Sequence, residues 1–369
     1  MKRIGLTLIA AIISGGLAGV ITAVVTDQSL NEYAEDLMGN ETFSVISQEK
    51  PRALPGTYEE AVAQVQETGW PAIAFVHAFS SDSLRSENWF TTQDAAGYGT
   101  VITSDGWVLF HKEAFKTFSD IDDIEVWTQG ERYLATEMIF DEQTDSVLVK
   151  INADGLPTLA FGPSNDMAGG DLLFVIASAT QIIPTSLKNA HEPSNGLIMP
   201  VESYITQWTL TNAVDTPSPI LNAGGELVGF TNEDSTATPL HHFQPFIQST
   251  LRHGEVQYAG LGVYTVSIDR VLNMDASVTD QAKFGALVVS PRGVLPGVVP
   301  NGPADEAGVL QGDIIVAIND TFLQADNSLA ELLAGYEPGQ EVVVTVMRNG
   351  ERLDLDTGLI DIEEIDYPI

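Results

Sequence analysis

"NAVDTPSPILNAGGELVGF", residues 212–230, decides how the rest of the chain is read. A polar loop framed by Pro217 and Pro219 runs directly into an apolar strand, an arrangement in which β-rich enzymes hold a nucleophilic alcohol, here Thr216. Around it lie further short runs of β-branched and aromatic residues: "AIAFVHAF" (72–79), "GTVITSDGWVLF" (99–110), "DSVLVKI" (145–151), "DLLFVIAS" (171–178) and "ITQWTLT" (205–211). Runs of four to eight such residues, punctuated by Gly, Asp-Gly and Pro, predict an antiparallel barrel or sandwich. A helix over "TYEEAVAQVQETG" precedes the block and a helical patch, "HHFQPFIQSTLRHG", closes it near residue 254.

From residue 257 the texture changes. "YAGLGVYTVSI" reads as a strand, "PADEAGVLQGDIIVAIND" mixes turn and strand, and "SLAELLAGY" is a clear helix. This makes a second unit of roughly 100 residues, the usual size of a domain.

Composition bounds the function. Hydrophobic residues make up 44%, enough for packed cores, so general disorder is excluded. The 16 Lys and Arg against 51 Asp and Glu give a formal charge of -35, which repels polyanions and excludes nucleic acid as a partner. The chain has no cysteine, so disulfides, thiolate nucleophiles and zinc-thiolate centres are excluded. The acidic run "SDIDDIE" (119–125) lacks the ligand spacing of a calcium loop and reads as a solvated loop; neither a metal site nor a cofactor is expected.

At the N-terminus, Lys2 and Arg3 precede an uncharged run over residues 4–26. As a helix it extends about 34 Å, long enough to cross a bilayer, and it exceeds the apolar core of a cleaved signal. The basic flank then stays in the cytoplasm and the remainder lies outside. The expected organisation is a transmembrane anchor (1–26), a polar linker (27–56), a β-barrel domain (57–255), a second domain (256–362) and an acidic tail (363–369).

Taken together, these blocks resemble the HtrA family over about residues 57–362. The resemblance implies a mainly β protein: a trypsin-like double antiparallel β-barrel, a C-terminal PDZ domain of α+β type, and an N-terminal transmembrane helix. "GLGV" at Gly260, Leu261, Gly262 and Val263 is similar to the PDZ carboxylate-binding loop, and "SLAELLAG" to the helix beside the peptide groove. Glycines there let consecutive N–H groups face a terminal carboxylate while an extended peptide adds a strand.

In the barrel block, "GYGTVITSDGWVLFHKEAF" resembles the strand pair leading to the catalytic histidine, whose position falls on Glu113. "DEQTDSVLVKI" places the catalytic aspartate at Asp145, and the opening stretch aligns with Asn-Pro-Gly-Asn-Ser-Gly-Gly-Pro-Leu, placing Thr216 at the nucleophile. Val214 and Asp215 occupy oxyanion-loop positions, with Val214 at a glycine, and Pro217 replaces the glycine after the nucleophile. A carboxylate with a pKa near 4 is a poor substitute for an imidazole base, and lost oxyanion donors cost about a hundredfold or more each. The expectation is a membrane-anchored, extracytoplasmic pseudoprotease that binds peptides or unfolded proteins with apolar C-termini, and the family implies a homotrimer. The alternative is an active endopeptidase using His111, two residues before the expected base, or an altered triad.

Three further expectations concern the remaining polar residues. His77 is a packed strand residue, His241 and His242 are solvated or capping residues on different helix faces, and the C-terminal "IDYPI" is a candidate PDZ ligand.

Overall fold

The computed structural model describes residues 55–367, apart from 79–90, 119–120, 122–123, 179, 194–196, 205, 213, 215, 233–234, 276–277, 280–281, 294 and 325–326. The expected membrane segment and most of the acidic run 119–125 lie outside them. Among the described residues, no helix is long and apolar enough to cross a membrane. All described residues belong to one compact unit.

Helix α1 (Tyr58–Ala72) starts at Thr57, whose hydroxyl accepts the Glu60 N–H and satisfies one of the unpaired donors of the first turn. The first barrel follows: β1 (Ile73–Ala78), β2 (Gly97–Val101), β3 (Trp107–His111), β4 (Ile124–Thr128), β5 (Glu131–Asp141) and β6 (Ser146–Ile151), closed in the order β1-β2-β3-β6-β5-β4. The β2–β3 turn depends on Gly106. Its φ is +103°, and a Cβ there would lie 2.3 Å from the Ile151 carbonyl oxygen. That fixed register places His111 opposite Ser146, so the end of β3 meets the start of β6.

The second barrel comprises β7 (Leu172–Ser178), β8 (Gln181–Pro193), β10 (Thr206–Leu210), β11 (Pro219–Asn222), β12 (Leu227–Thr231) and β13 (Thr236–Pro239), closed in the order β10-β13-β12-β11-β7-β8. Between β8 and β10, a short strand β9 (Met199–Pro200) leaves the barrel altogether. Helix α2 (Leu240–His253) ends on Gly254, a left-handed cap at φ +77°.

Alternating residues fill each barrel, such as Val108, Phe110 and Val147 in the first and Val175, Trp208 and Ile220 in the second. The opposite faces join with α1 and α2 into one core between the barrels, including Leu109, Leu148, Phe174, Phe230, Phe243 and Phe246. Each such fully buried side chain stabilises the fold by about 1.5–3 kcal/mol, which fixes one barrel against the other.

The C-terminal block contains β14 (Ala259–Gly260), β15 (Tyr264–Ser267), β16 (Ala286–Val288), α3 (Pro303–Ala307), β17 (Ile314–Ile318), β18 (Thr321–Phe322), α4 (Leu329–Leu333), β19 (Glu341–Arg348), β20 (Glu351–Gly358) and β21 (Ile360–Asp361). Its main sheet runs β20-β19-β17-β16-β15-β9, with β18 on β17, so β9 from the barrel connection forms its edge. Helix α4 carries a capping box: Ser328 accepts the Glu331 N–H and Glu331 accepts the Ser328 N–H.

Candidate functional site

The three positions expected for a triad, Glu113, Asp145 and Thr216, lie in the turn after β3, the β5–β6 turn and the loop before β11. A short 3-10 turn, Lys112–Phe115, follows β3, and His111 caps it by accepting the Glu113 N–H at Nδ1 (3.3 Å). The β5–β6 turn is built by Asp141, which is 2% exposed and accepts the N–H groups of Gln143 (3.1 Å) and Thr144 (3.2 Å). This puts Asp145 in the left-handed region at φ +53° and brings its carbonyl onto the Lys112 N–H (2.8 Å).

The charges of these residues are satisfied by lysines. Lys112 forms an ion pair with Asp145 and a second one, at 2.9 Å, with Glu142. Glu113 is paired with Lys116 one turn along. Asp145 is thus a turn residue whose carboxylate is paired with the Lys112 ammonium.

His111 is 7% exposed, and burial holds its pKa below the ordinary value against the opposing pull of Asp145 and Glu113. A neutral imidazole has one lone-pair nitrogen, and at His111 that nitrogen already accepts a backbone N–H. It is not free to take a proton from an alcohol.

On the nucleophile side, Asp215 lies outside the described residues. Val214 is 8% exposed and packs into the second barrel's core with Trp208 and Ile220. The loop is pinned at both ends: Asn212 Nδ2 donates to the Pro184 carbonyl (3.1 Å), and the Ser218 N–H donates to the Thr231 hydroxyl (2.8 Å). The Thr216 carbonyl accepts the Ser218 hydroxyl (2.8 Å). Among the described residues no hydrogen bond joins the Thr216 hydroxyl to a histidine.

The second candidate site is the groove between β15 and α4. Gly262, at φ +80°, turns its own N–H and that of Leu261 toward one point. A carboxylate occupies that point. Glu202 Oε1 accepts from Leu261 N (2.7 Å) and Gly262 N (3.1 Å), and Oε2 accepts from the Tyr367 hydroxyl. Glu202 is 5% exposed, and desolvation raises its pKa despite these donors. Upstream, β9 pairs antiparallel with β15, Pro200 opposite Tyr264 and Met199 opposite Thr265, and the Val201 N–H donates to the Val263 carbonyl (2.9 Å). Sequence reasoning found Gly260–Val263 but missed Glu202, since nothing local in "LIMPVES" marks it as a partner of a loop 60 residues away. Of the C-terminal segment, Tyr367 packs edge-on against Tyr264 and donates its hydroxyl to Glu202, while Pro368 and Ile369, and with them the expected ligand end, lie outside the described residues.

The reading of the paired histidines is corrected. Glu331 of α4 sits between them, Oε1 lying 3.4 Å from His241 Nε2 and 3.6 Å from His242 Nε2. His241 is bonded through its backbone N–H and Nδ1 to Ser164 Oγ (3.0 and 2.9 Å), while His242 is 2% exposed and stacks on Tyr204 with ring centres 4.0 Å apart. Neither is solvated. Burial pushes the His242 pKa down to about 4, against the pull of Glu331. Among the described residues, these three, with ligand atoms within 4.8 Å of one another, are the group that could hold a metal. His77 is a packed strand residue, 5% exposed, as expected.

Known proteins bear on this arrangement. The family description "PDZ domain" matches residues 259–359. Among curated proteins, the chain is 27% identical over 273 residues to a probable periplasmic serine endoprotease DegP-like of Ectopseudomonas mendocina (strain ymp), covering 70% of this chain and 55% of the relative. It is 26% identical over 275 residues to the protein of the same description from Halomonas elongata, covering 69% and 54%. The chain therefore matches only about half the length of these relatives. Among solved structures, HtrA-type protease AlgW with decapeptide aligns at a TM-score of 0.55 and 19% identity, covering 83% of this chain and 98% of that one. AlgW with tripeptide aligns at 0.56 and 19%, covering 81% and 96%. Two trypsin-like barrels followed by a PDZ domain make the chain similar, in sequence and fold, to HtrA-type proteases.

Proposed function

We propose that the protein is a membrane-anchored, extracytoplasmic HtrA-like pseudoprotease whose PDZ domain binds peptides or unfolded proteins through apolar C-termini, serving as a scaffold or sensor in protein quality control. The observation that carries this reading is the PDZ loop itself: two consecutive N–H groups converge on a carboxylate while an antiparallel strand lies along β15, the geometry of a C-terminal peptide site. The periplasmic description of the relatives supports the location, and the apolar run 4–26 supports the anchor. The family's association into homotrimers is carried over as part of the proposal.

The barrel geometry supports the proposed loss of proteolysis. Lysines occupy both carboxylates, His111 spends its lone pair on the backbone, and Val214 stands where the family has an oxyanion-loop glycine. Removal of the base and of one oxyanion donor lowers turnover by well over about a hundredfold. The same facts weigh against the alternative endopeptidase based on His111. The full chain is expected to leave unfolded casein intact and to resist a fluorophosphonate probe; labelling at Thr216 overturns the pseudoprotease reading. A screen of displayed C-termini is expected to return apolar ligands for the PDZ groove.

A further inference from the structure

We propose that residues 199–202 are a resident ligand of the PDZ groove, and that the partner this surface takes is a free C-terminus of the same chemistry, with a small branched aliphatic last residue, which must displace that segment to bind. The inference rests on the peptide-binding role proposed above and adds to it the class of ligand and the way access is controlled.

Each element of a bound C-terminus has a counterpart in this segment. Met199 and Pro200 supply the added strand on β15, and the Val201 N–H bonds to the Val263 carbonyl, the last residue of the loop. Val201 supplies the terminal side chain. It is 3% exposed and belongs to the same apolar cluster as Leu261, Val263, Leu329 and Leu333, which places it between β15 and α4. The Glu202 side chain supplies the carboxylate.

An internal segment has to leave the groove where a free peptide would end, and the backbone does so immediately. The Ser203 N–H donates to the Pro200 carbonyl (3.1 Å), closing a turn that carries the main chain away while the Glu202 side chain points into the loop. Tyr367 then covers the carboxylate, its ring against Tyr264 and its hydroxyl on Glu202. Glu202 is thereby fully engaged: two backbone donors and one phenol, in a site that excludes solvent.

Two consequences follow from tethering. A resident ligand on a short connection acts at an effective concentration on the order of millimolar, so a weak free peptide does not compete. The apparent affinity is reduced by the fraction of molecules in which the groove is open. The connection also runs from β8 to β10, and β10 continues into the Thr211–Asn212 turn held against Ser186 and Pro184. Occupancy of the groove is thus linked to the strands that carry the loop of Thr216.

The test uses the full chain and a fluorescein-labelled peptide ending Ile-Met-Pro-Val with a free carboxylate, alongside the same peptide amidated. Glu202→Gln is expected to bind the free-acid peptide at least about tenfold more tightly than the unaltered chain, with the amide bound by neither. Val201→Ala, which leaves the hydrogen bonds in place, is expected to shift affinity a few-fold the same way. In hydrogen exchange the Val201 amide is expected to be protected, and saturating peptide to abolish that protection. Equal affinity for the unaltered chain and both variants, or a Val201 amide that exchanges at the rate of unstructured chain, overturns the inference and leaves peptide binding intact. Absence of binding to every form overturns both.

Discussion

Lys112 and Asp145 are held together twice, by an ion pair between their side chains and by the Lys112 N–H on the Asp145 carbonyl at 2.8 Å. In a serine protease the partner of this aspartate is the imidazole that it orients. Here the ammonium of Lys112, the residue before the position where the histidine was expected, holds Asp145, so under the proposed reading a histidine at 113 alone does not make a triad.

Glu113→His together with Thr216→Ser is therefore expected to show no casein cleavage and no fluorophosphonate labelling, because Lys112 still holds Asp145 and Val214 and Pro217 still shape the loop. The ion pair itself contributes little. The Asp145 side chain is 54% exposed, so Lys112→Ala is expected to change stability by no more than about 1 kcal/mol in chemical denaturation. A loss several times larger contradicts this account of the pair as a surface contact.

A different outcome is expected for Asp313, the aspartate of the Gly-Asp-x-Ile stretch. It is 1% exposed and receives Arg348 Nε and Nη2, both at 2.6 Å, while also accepting the Leu310 N–H (2.8 Å). Arg348→Ala strands a buried carboxylate and is expected to cost about 3 kcal/mol, lowering the unfolding transition of the C-terminal domain by several degrees. Arg348→Lys keeps the charge and loses the fork, so its loss should be smaller.

Legibility in the sequence followed the range of the interaction. The β-runs and the Asp105-Gly106 turn that punctuates them are local patterns, read from spacing alone. The β3–β6 register sets His111 opposite Ser146, which brings the turn carrying Glu113 beside the turn carrying Asp145. Glu202 was not legible, since its partners Leu261 and Gly262 are distant in sequence and carry no complementary charge, only backbone N–H groups. The histidine pair misled for another reason. Adjacent helical residues do not share a face, yet these two rings meet edge-on with centres 4.5 Å apart and Glu331 from a different element reaches both, which no single-helix argument contains.

That junction predicts how stability responds to acid. His242 is held neutral by burial, with a folded pKa of about 4 against about 6.5 in an unfolded chain. A depressed pKa contributes stability that is complete above the unfolded value and lost as pH falls through the folded one, so the window runs from about 6.5 down to about 4. Glu331 is also depressed, its own burial outweighed by the facing histidines, and its contribution falls away at still lower pH. The unaltered chain should lose up to about 3 kcal/mol on acidification from pH 7 to 4 through His242. His242→Phe, which preserves an aromatic ring against Tyr204, is expected to flatten that slope in denaturation curves recorded across the window. An unchanged slope removes His242 as its source.

The two glycines of the PDZ loop should separate the groove from the tail that covers it. Gly262 has a positive φ of +80°, but an added Cβ would meet nothing closer than 3.6 Å, so Gly262→Ala carries backbone strain of about 1–2 kcal/mol without a clash. At Gly260 the added Cβ would lie 2.3 Å from Ile365 Cδ1 and 3.3 Å from Ile362 Cα, so Gly260→Ala pushes the tail outward while the loop keeps its conformation. Gly262→Ala is expected to lower the unfolding transition and weaken the carboxylate site for resident and free ligand alike. Gly260→Ala is expected to raise hydrogen exchange over residues 362–367 and expose Tyr367, with the smaller loss of stability. Exchange resolved by residue, together with the two transition midpoints, distinguishes them. Faster tail exchange in Gly262→Ala than in Gly260→Ala contradicts the assignment of loop geometry to one glycine and tail packing to the other.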